Sequence, residues 1–311
     1  MVVPEYSMVQ KITCPKCKGK EVIKWSKRKT ENRGLIQRYK CKHCNSHFTP
    51  DDGFFRMRNS QEKITLCLDL FYRGVSTRKV QEHLQAFYTH NSSWVTIYSW
   101  VLKYSKQISS FTDTLKLKVG SEVQVDEVEY HRRRSYKSKR GTEINWFIDS
   151  IDTKTRFMVA SNYCKSRGKK EIKQVMKAIK DKTETQIKVI TTDGLLTYPN
   201  IIKSVFGYSN LKKEIIRHNR INASKGEGFN YPIERLHNNV RARTKTFRGF
   251  HGSIESANAI MKGYEIYYNF ITKHQALNHC PYELAIPELA LSLENEKNRW
   301  LGLIKLSNLN D

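Results

Sequence analysis

No apolar run in this chain is long enough to cross a bilayer. The most apolar stretch, 284–293, is interrupted by Pro287 and Glu288 and falls well short of the ~18 uncharged residues a spanning helix needs. Pro4 and Glu5 lead into no apolar segment, so no secretory signal is expected. There is no G-x-S-x-G elbow and no G-x-x-x-x-G-K-[ST] loop, which leaves elbow-type serine hydrolysis and P-loop nucleotide binding without support. The seven cysteines are an odd number, which argues against a disulfide framework. Acidic residues are scarce: 30 Asp+Glu against 55 Lys+Arg give a formal net charge of +25 over 311 residues. A surplus of that size speaks to partners, and for a basic chain without membrane segments the expected partner is nucleic acid. The 39% hydrophobic content excludes disorder, and the length suggests two or three domains.

Four of the cysteines form two C-x-x-C pairs, Cys14/Cys17 and Cys41/Cys44. Each pair lets two thiolates converge on one ion from a tight turn, and two such knuckles complete a tetrahedral Zn²⁺ site. Strand-like stretches, 21–25 and 35–40, lie between them around a polar turn with Asn32 and Gly34. The arrangement resembles a zinc ribbon, and His43 and His47 are read as exposed side chains rather than ligands. Between residues 11 and 42 stand twelve Lys/Arg and two acidic residues, so this module is cationic. DNA phosphate is one expected partner; a solubilising or protein-docking surface is the other reading.

Pro50-Asp-Asp-Gly53 reads as a turn, after which 60–108 has helical periodicity broken at Arg73-Gly74 and at Ser92/Ser93. Three short helices with such turns are consistent with a helix-turn-helix whose last helix, about 93–104, enters a major groove, or with a plain helical connector. From Ser121 the period changes. Val123 and Val125 alternate with polar residues up to Asp126; 144–151 and 156–161 are β-rich; 166–183 is an amphipathic helix. The strand 187–192 ends at Asp193-Gly194, and 213–217 is a further strand candidate. Tyr231-Pro232 opens a helix bearing Glu234, with His237, Asn238 and Arg241 on its face. Residues 253–272 read as a further, largely apolar helix. The acids Glu127, Glu129, Asp149 and Asp152 are assigned structural places: Glu127 facing away from Asp126, Asp149 and Asp152 at strand-end turns.

The pieces Val-Gln-Val-Asp126-Glu127, Thr-Thr-Asp193-Gly-Leu-Leu-Thr-Tyr198-Pro199 and Ile-Glu234-Arg-Leu-His237-Asn238-Asn-Val-Arg241, in this order, resemble the DDE transposases and integrases, and in particular insertion-sequence transposases with an N-terminal zinc ribbon. Phe247-Arg-Gly249-Phe250 and Tyr268-Asn269-Phe270 extend the likeness. The resemblance implies an α/β chain with a ribonuclease-H-like mixed-sheet catalytic core, preceded by a small zinc ribbon and a helix-turn-helix segment. The expected division is 1–52 ribbon, 53–118 helix-turn-helix, 119–290 catalytic core and 291–311 C-terminal tail. It implies Asp126, Asp193 and Glu234 as catalytic ligands of two Mg²⁺ or Mn²⁺ ions, since in-line phosphoryl transfer suits hard cations held by carboxylates. Asp126 is the expected bridging ligand. The spacing from Asp193 to Glu234 is 41 residues, longer than is common in such enzymes, with the excess in the Gly226/Gly228 loop. Basic residues beside this site, Arg132, Arg133, Arg134, Arg241, Arg243, Lys245 and Arg248, are expected to track DNA.

The expected activity is cleavage at element ends marked by terminal inverted repeats and 3′-hydroxyl transfer into target DNA, by a homo-oligomer of at least two copies. A cytoplasmic, nucleoid-associated place in a prokaryote follows from the same resemblance. A non-catalytic DNA-binding regulator and a metal-dependent nuclease without strand transfer are the alternatives. The ribbon reading has a direct check: the chain carries one equivalent of zinc by atomic absorption, and Cys41→Ser reduces it to near none with loss of N-terminal structure.

Overall fold

A computed structural model describes residues 12–30, 34–88, 92–133, 142–207, 216–221, 230–245, 250 and 252–309. The N-terminal part is a small antiparallel sheet of β1 (Val22–Thr30), β2 (Gly34–Cys41) and β3 (His47–Phe48), with the Cys14/Cys17 and Cys41/Cys44 knuckles at one end. Gly34 has φ +67°, a left-handed turn conformation that glycine adopts without steric cost. Three helices follow: α1 (Gln61–Tyr72), α2 (Thr77–Phe87) and α3 (Trp94–Thr112). Each starts at a serine. The hydroxyls of Ser60, Ser76 and Ser93 accept from the amides three residues on, at 3.2, 3.3 and 3.2 Å, satisfying one of the orphan donors of each first turn. Helix α3 runs four residues beyond the 60–108 helical stretch, because Phe111 continues the buried stripe of Val101, Tyr104 and Ile108.

The central sheet contains β4 (Glu122–Arg133), β5 (Thr142–Asp152), β6 (Met158–Cys164), β7 (Val189–Thr192) and β8 (Arg217–Arg220) in the order β6-β5-β4-β7-β8. The first three are antiparallel neighbours, whereas β7 and β8 run parallel to β4. Helix α4 (Lys169–Lys182) makes the crossover from β6 to β7, and α5 (Tyr198–Phe206) lies between β7 and β8. The strand sought at 213–217 starts at Arg217; residues 208–215 lie outside the described ones. Helix α6 (Tyr231–Thr244) follows, then α7 (Ile254–Ile266) with a π turn over Tyr267–Ile271, α8 (Pro281–Ala285), α9 (Pro287–Leu293) and α10 (Arg299–Leu309).

Helix α7 joins the sheet to the helical layer. The edge strand β6 would leave backbone groups unpaired. The buried Asn269 amide supplies both partners at Met158, accepting from its N–H at 2.8 Å and donating to its carbonyl at 2.9 Å. Asn258 accepts from the Tyr163 amide at 3.1 Å. On its other side α7 meets α3 where Gly263 leaves no room for a side chain: a β-carbon there would overlap the Tyr72 hydroxyl and Ser105 Oγ, which hydrogen-bond to each other at 2.8 Å. Of residues 291–311, set apart above as a tail, the described ones complete α9 and form α10. Leu303 and Ile304 are fully buried, and Trp300 stacks on Tyr72 with ring centroids 5.5 Å apart. Among the described residues no helix is long and apolar enough to cross a membrane. Gly263→Ala is therefore expected to destabilise the chain by about 1–3 kcal/mol through overpacking at the α3–α7 contact. A lowered chemical-denaturation midpoint with an unchanged slope is the check.

Candidate active site

Asp126 lies within β4, two residues past the last of its parallel pairings with β7 (Glu122–Val189, Val123–Ile190, Gln124–Thr191). Strand β7 stops at Thr192, so Asp193 emerges at its carboxyl end, beside Asp126. In open sheets with parallel strands this end is where ligands gather. Asp193 Oδ1 accepts from the Leu195 amide at 2.9 Å, the turn that starts the path to α5. Carboxylate oxygens of Asp126, Glu127 and Asp193 all lie within 4.8 Å of one another.

Glu127 differs from the expectation. Strand alternation sends its Cα–Cβ bond away from that of Asp126, yet its carboxylate belongs to the cluster. The Asp126 carboxylate turns back to accept the Glu127 amide at 2.8 Å, and the longer Glu127 side chain reaches the hydroxyl of Tyr198 on α5. Burial keeps the Tyr198 phenol protonated and hence a donor. Arg167 stands 4.0 Å from the Glu127 carboxylate, its guanidinium 4.2 Å from the Trp146 ring centroid. Burial pushes the Glu127 carboxyl up to about 7 and the Asp126 carboxyl up to about 6. Neighbouring acids add to both shifts.

Helix α6 is seated on the sheet through its first turn, where Gln124 Oε1 accepts from the Ile233 amide at 3.2 Å. Glu234 on this turn is half-buried but does not join the other three acids: Asp126, Asp193 and Glu234 do not all have oxygens within 4.8 Å of one another. One turn on, the buried His237 meets two carboxylates. Its Nε2 is 2.7 Å from Asp149 Oδ1, and its Nδ1 is 3.5 Å from Asp126 Oδ2. Burial pushes the imidazole pKa down, but the Asp149 charge and hydrogen bond together with Asp126 outweigh it, and the net shift is upward. Asp149 was expected at a strand-end turn. It is instead fully buried inside β5, directly across the ladder from Asp126. Asp152 does sit at the turn, accepting from the Thr155 amide at 2.6 Å and the Gly120 amide at 2.9 Å.

The basic residues divide. Arg241 and Lys245 are exposed along a groove of about 590 Å³ that also includes His131, Tyr130 and Asn238. Arg243 is not available to DNA. It is 7% exposed, and its guanidinium donates to the Phe71 carbonyl and lies 4.5 Å from that ring's centroid, tying α6 to α1. Arg132 is likewise engaged, paired with Glu143 at 2.7 Å and donating to the Gly252 carbonyl at 2.6 Å. Arg133 ends β4, while Arg134 and Arg248 lie outside the described residues.

At the N-terminal knuckles, Cys14 and Cys44 sulfurs are 3.5 Å apart, as are those of Cys17 and Cys41, and all four lie within 4.8 Å of one another. A tetrahedron with Zn–S bonds of ~2.3 Å has edges of ~3.8 Å, so this donor set fits zinc. The Cys17 amide holds the Cys14 thiol down at about 6, whereas Cys17, despite the Gly19 amide, is pushed up to about 12 by the neighbouring thiols and burial. At the acidic cluster the donors are oxygens only, the set that suits Mg²⁺ or Mn²⁺ rather than a thiophilic ion.

Three antiparallel strands followed by two parallel ones through helical crossovers, with acids at the carboxyl end of the central pair, define a ribonuclease-H-like fold. Residues 142–275, from β5 to just past the π turn, match the family model described as a DDE domain. The match includes Asp193 and Glu234; Asp126 lies before it, on the strand paired with β5. No curated protein matches the chain. Among solved structures it is similar to one titled "Crystal structure of the Mos1 Strand Transfer Complex", at 8% identity and a TM-score of 0.22, over 70% of this chain and 80% of that one.

The raised carboxyl values carry a pH dependence. A carboxyl whose folded value lies above its unfolded one stabilises the fold below the ordinary values, 3.8 and 4.5 here, and that contribution is lost as pH rises through about 6 and 7. A divalent cation held at the unprotonated cluster would offset the repulsion of its charges. The rise in melting temperature on adding Mn²⁺ is accordingly expected to be small at pH 5.5 and several degrees larger at pH 8, measured by differential scanning fluorimetry.

Proposed function

We propose that this chain is the transposase of an insertion sequence, which binds the element's terminal inverted repeats, cleaves at its ends and joins the freed 3′-hydroxyls to target DNA. The observation that carries the reading is the meeting of Asp126 and Asp193 carboxylates at the carboxyl end of the β4–β7 pair. Two divalent cations, Mg²⁺ or Mn²⁺, would supply charge stabilisation for attacking and leaving oxygens when held there. Asp126, one oxygen of which accepts the Glu127 amide, would hold the ions together with Asp193 and Glu234. Glu234 has to come closer to the others, and DNA lying along Arg241 and Lys245 on the same helix is the proposed cause. The tight turn at Asp193 and the Gln124 contact to α6 fix where these two carboxylates start.

The four-cysteine module, 1–52, holds one structural Zn²⁺ and, with the helical segment 53–118, handles the repeat sequence. Support for the first comes from its surface: Trp25 is 53% exposed, with the Lys40 ammonium 4.9 Å from its ring centroid, among Lys24, Lys27 and Arg28. For the second, Trp94 and Val95 are exposed on the first turn of α3, while its later turns pack against the rest of the helical layer. The active unit is at least a dimer, since two ends must be held, and it works on chromosomal DNA in the cytoplasm of a prokaryote.

A strand-transfer assay with labelled element-end DNA and Mn²⁺ tests the reading, comparing wild type with Asp126→Asn. Wild type is expected to join ends to a target, and the variant to bind ends with similar affinity while losing at least 100-fold in rate. Cutting without joining would select the nuclease. Binding with neither step, in a verified oligomer on the correct ends, would select the regulator.

A further inference from the structure

Asp126 and Asp149 face one another across the β4–β5 ladder, and like charges directly opposite in a sheet repel. Asp149 has no exposure, and among the described residues its Oδ2 has no hydrogen-bond partner. Its flanking residue Ile148, like Phe147 before it, is a buried apolar side chain. An acid here is costly to bury, and a chain needing only stability would do as well with apolar residues at both 149 and 237. What the pair does have is direction. Asp149 takes the Nε2 of His237 at 2.7 Å, which aims Nδ1 at Asp126 Oδ2, 3.5 Å away. The other oxygen of Asp126 is held by the Glu127 amide at 2.8 Å. Both oxygens are thereby oriented by the protein, each with a lone pair left over. His237 also lies one turn after Glu234, so the contact that orients Asp126 seats the Glu234 helix against the sheet.

We propose that Asp149 and His237 are a positioning pair, which holds the Asp126 carboxylate in the orientation that receives a divalent cation and sets the α6 face carrying Glu234 beside it. The inference rests on the transposase reading above and adds two residues to that site. Neither touches the reacting phosphate; both act through Asp126. Partners that orient a ligand from behind in this way are worth about 10- to 100-fold in metal affinity when removed.

The test uses the full chain with His237→Gln, His237→Gly and Asp149→Asn, and Asp126→Asn as the ligand control. Mn²⁺ binding is read without DNA from the free-ion paramagnetic resonance signal, alongside circular dichroism and a gel shift on element-end DNA. The expected result is a Mn²⁺ dissociation constant raised 10- to 100-fold in His237→Gln and Asp149→Asn, with native circular dichroism and unchanged end binding. Added imidazole is expected to restore Mn²⁺ affinity to His237→Gly but not to Asp126→Asn. In single-turnover cleavage the half-saturating Mn²⁺ concentration moves with the dissociation constant. Wild-type Mn²⁺ affinity in the folded His237→Gln and Asp149→Asn variants would overturn the proposal, as would unfolding of all three variants, because the pair would then be structural. Nitrogen hyperfine coupling on Mn²⁺ bound to wild type would also overturn it, by making His237 a ligand. Should wild type neither bind Mn²⁺ nor cleave, the transposase reading itself falls, and the positioning role with it.

Discussion

Two carboxylates side by side in the middle of a sheet are the constraint on which the site depends. The β4–β5 register sets Asp126 against Asp149, and only a donor inserted between them relieves the repulsion. That donor is the imidazole of His237, brought from another element. Helix α6 must therefore dock on this face, at this height, in one rotation. The Gln124 contact to its first turn and the burial of Ile233, Leu236 and Val240 favour the same pose. Glu234 inherits its position from these contacts. Asp126, Glu127 and Asp193 thus stand together, with the third expected acid held on a helix nearby.

The same economy appears where the helical layer meets the sheet. Asn269 completes the edge of β6, Gly263 lets α7 close on α3, and an ion-pair network running from the exposed Asp113 through Lys182 and Lys262 to the buried Glu265 joins the ends of α3 and α4 to α7. Trp300 and α10 close the far side. The segment proposed to read DNA is therefore built on helices that share a core with the central sheet. Arg243 illustrates how charge is distributed between folding and function. A count of basic residues beside the active site includes it, but its guanidinium is spent on α1, leaving Arg241 and Lys245 exposed on that helix.

Much of this was legible along the chain. The serines at 60, 76 and 93 marked helix starts, because a hydroxyl before an apolar-periodic stretch satisfies the first-turn amides. Alternation of Val123 and Val125 marked a strand, and doubled C-x-x-C spacing marked a four-thiol site. Asp126 and Asp193 were visible because each closes a β-rich run. Glu127, Asp149, His237 and Arg243 were not read correctly or were given no role. Periodicity reports which way a Cα–Cβ bond points, and it is blind to where a flexible or fully buried polar group finds its partner.

By itself, then, the sequence determined the local elements, the order of the three acids, the cysteine cluster and a charge that calls for an anionic partner. These depend on interactions within a few residues, or on composition, and need no third dimension. Only the tertiary structure decided that Glu127 joins Asp126 and Asp193, that His237 bridges two acids from different strands, that Arg132 is paired with Glu143 and Arg243 is buried, and that the last helix is core. Each of these is a contact between residues far apart in the chain, set by strand register and helix docking, and desolvation then decides which charges are paired inside and which are left to meet a ligand.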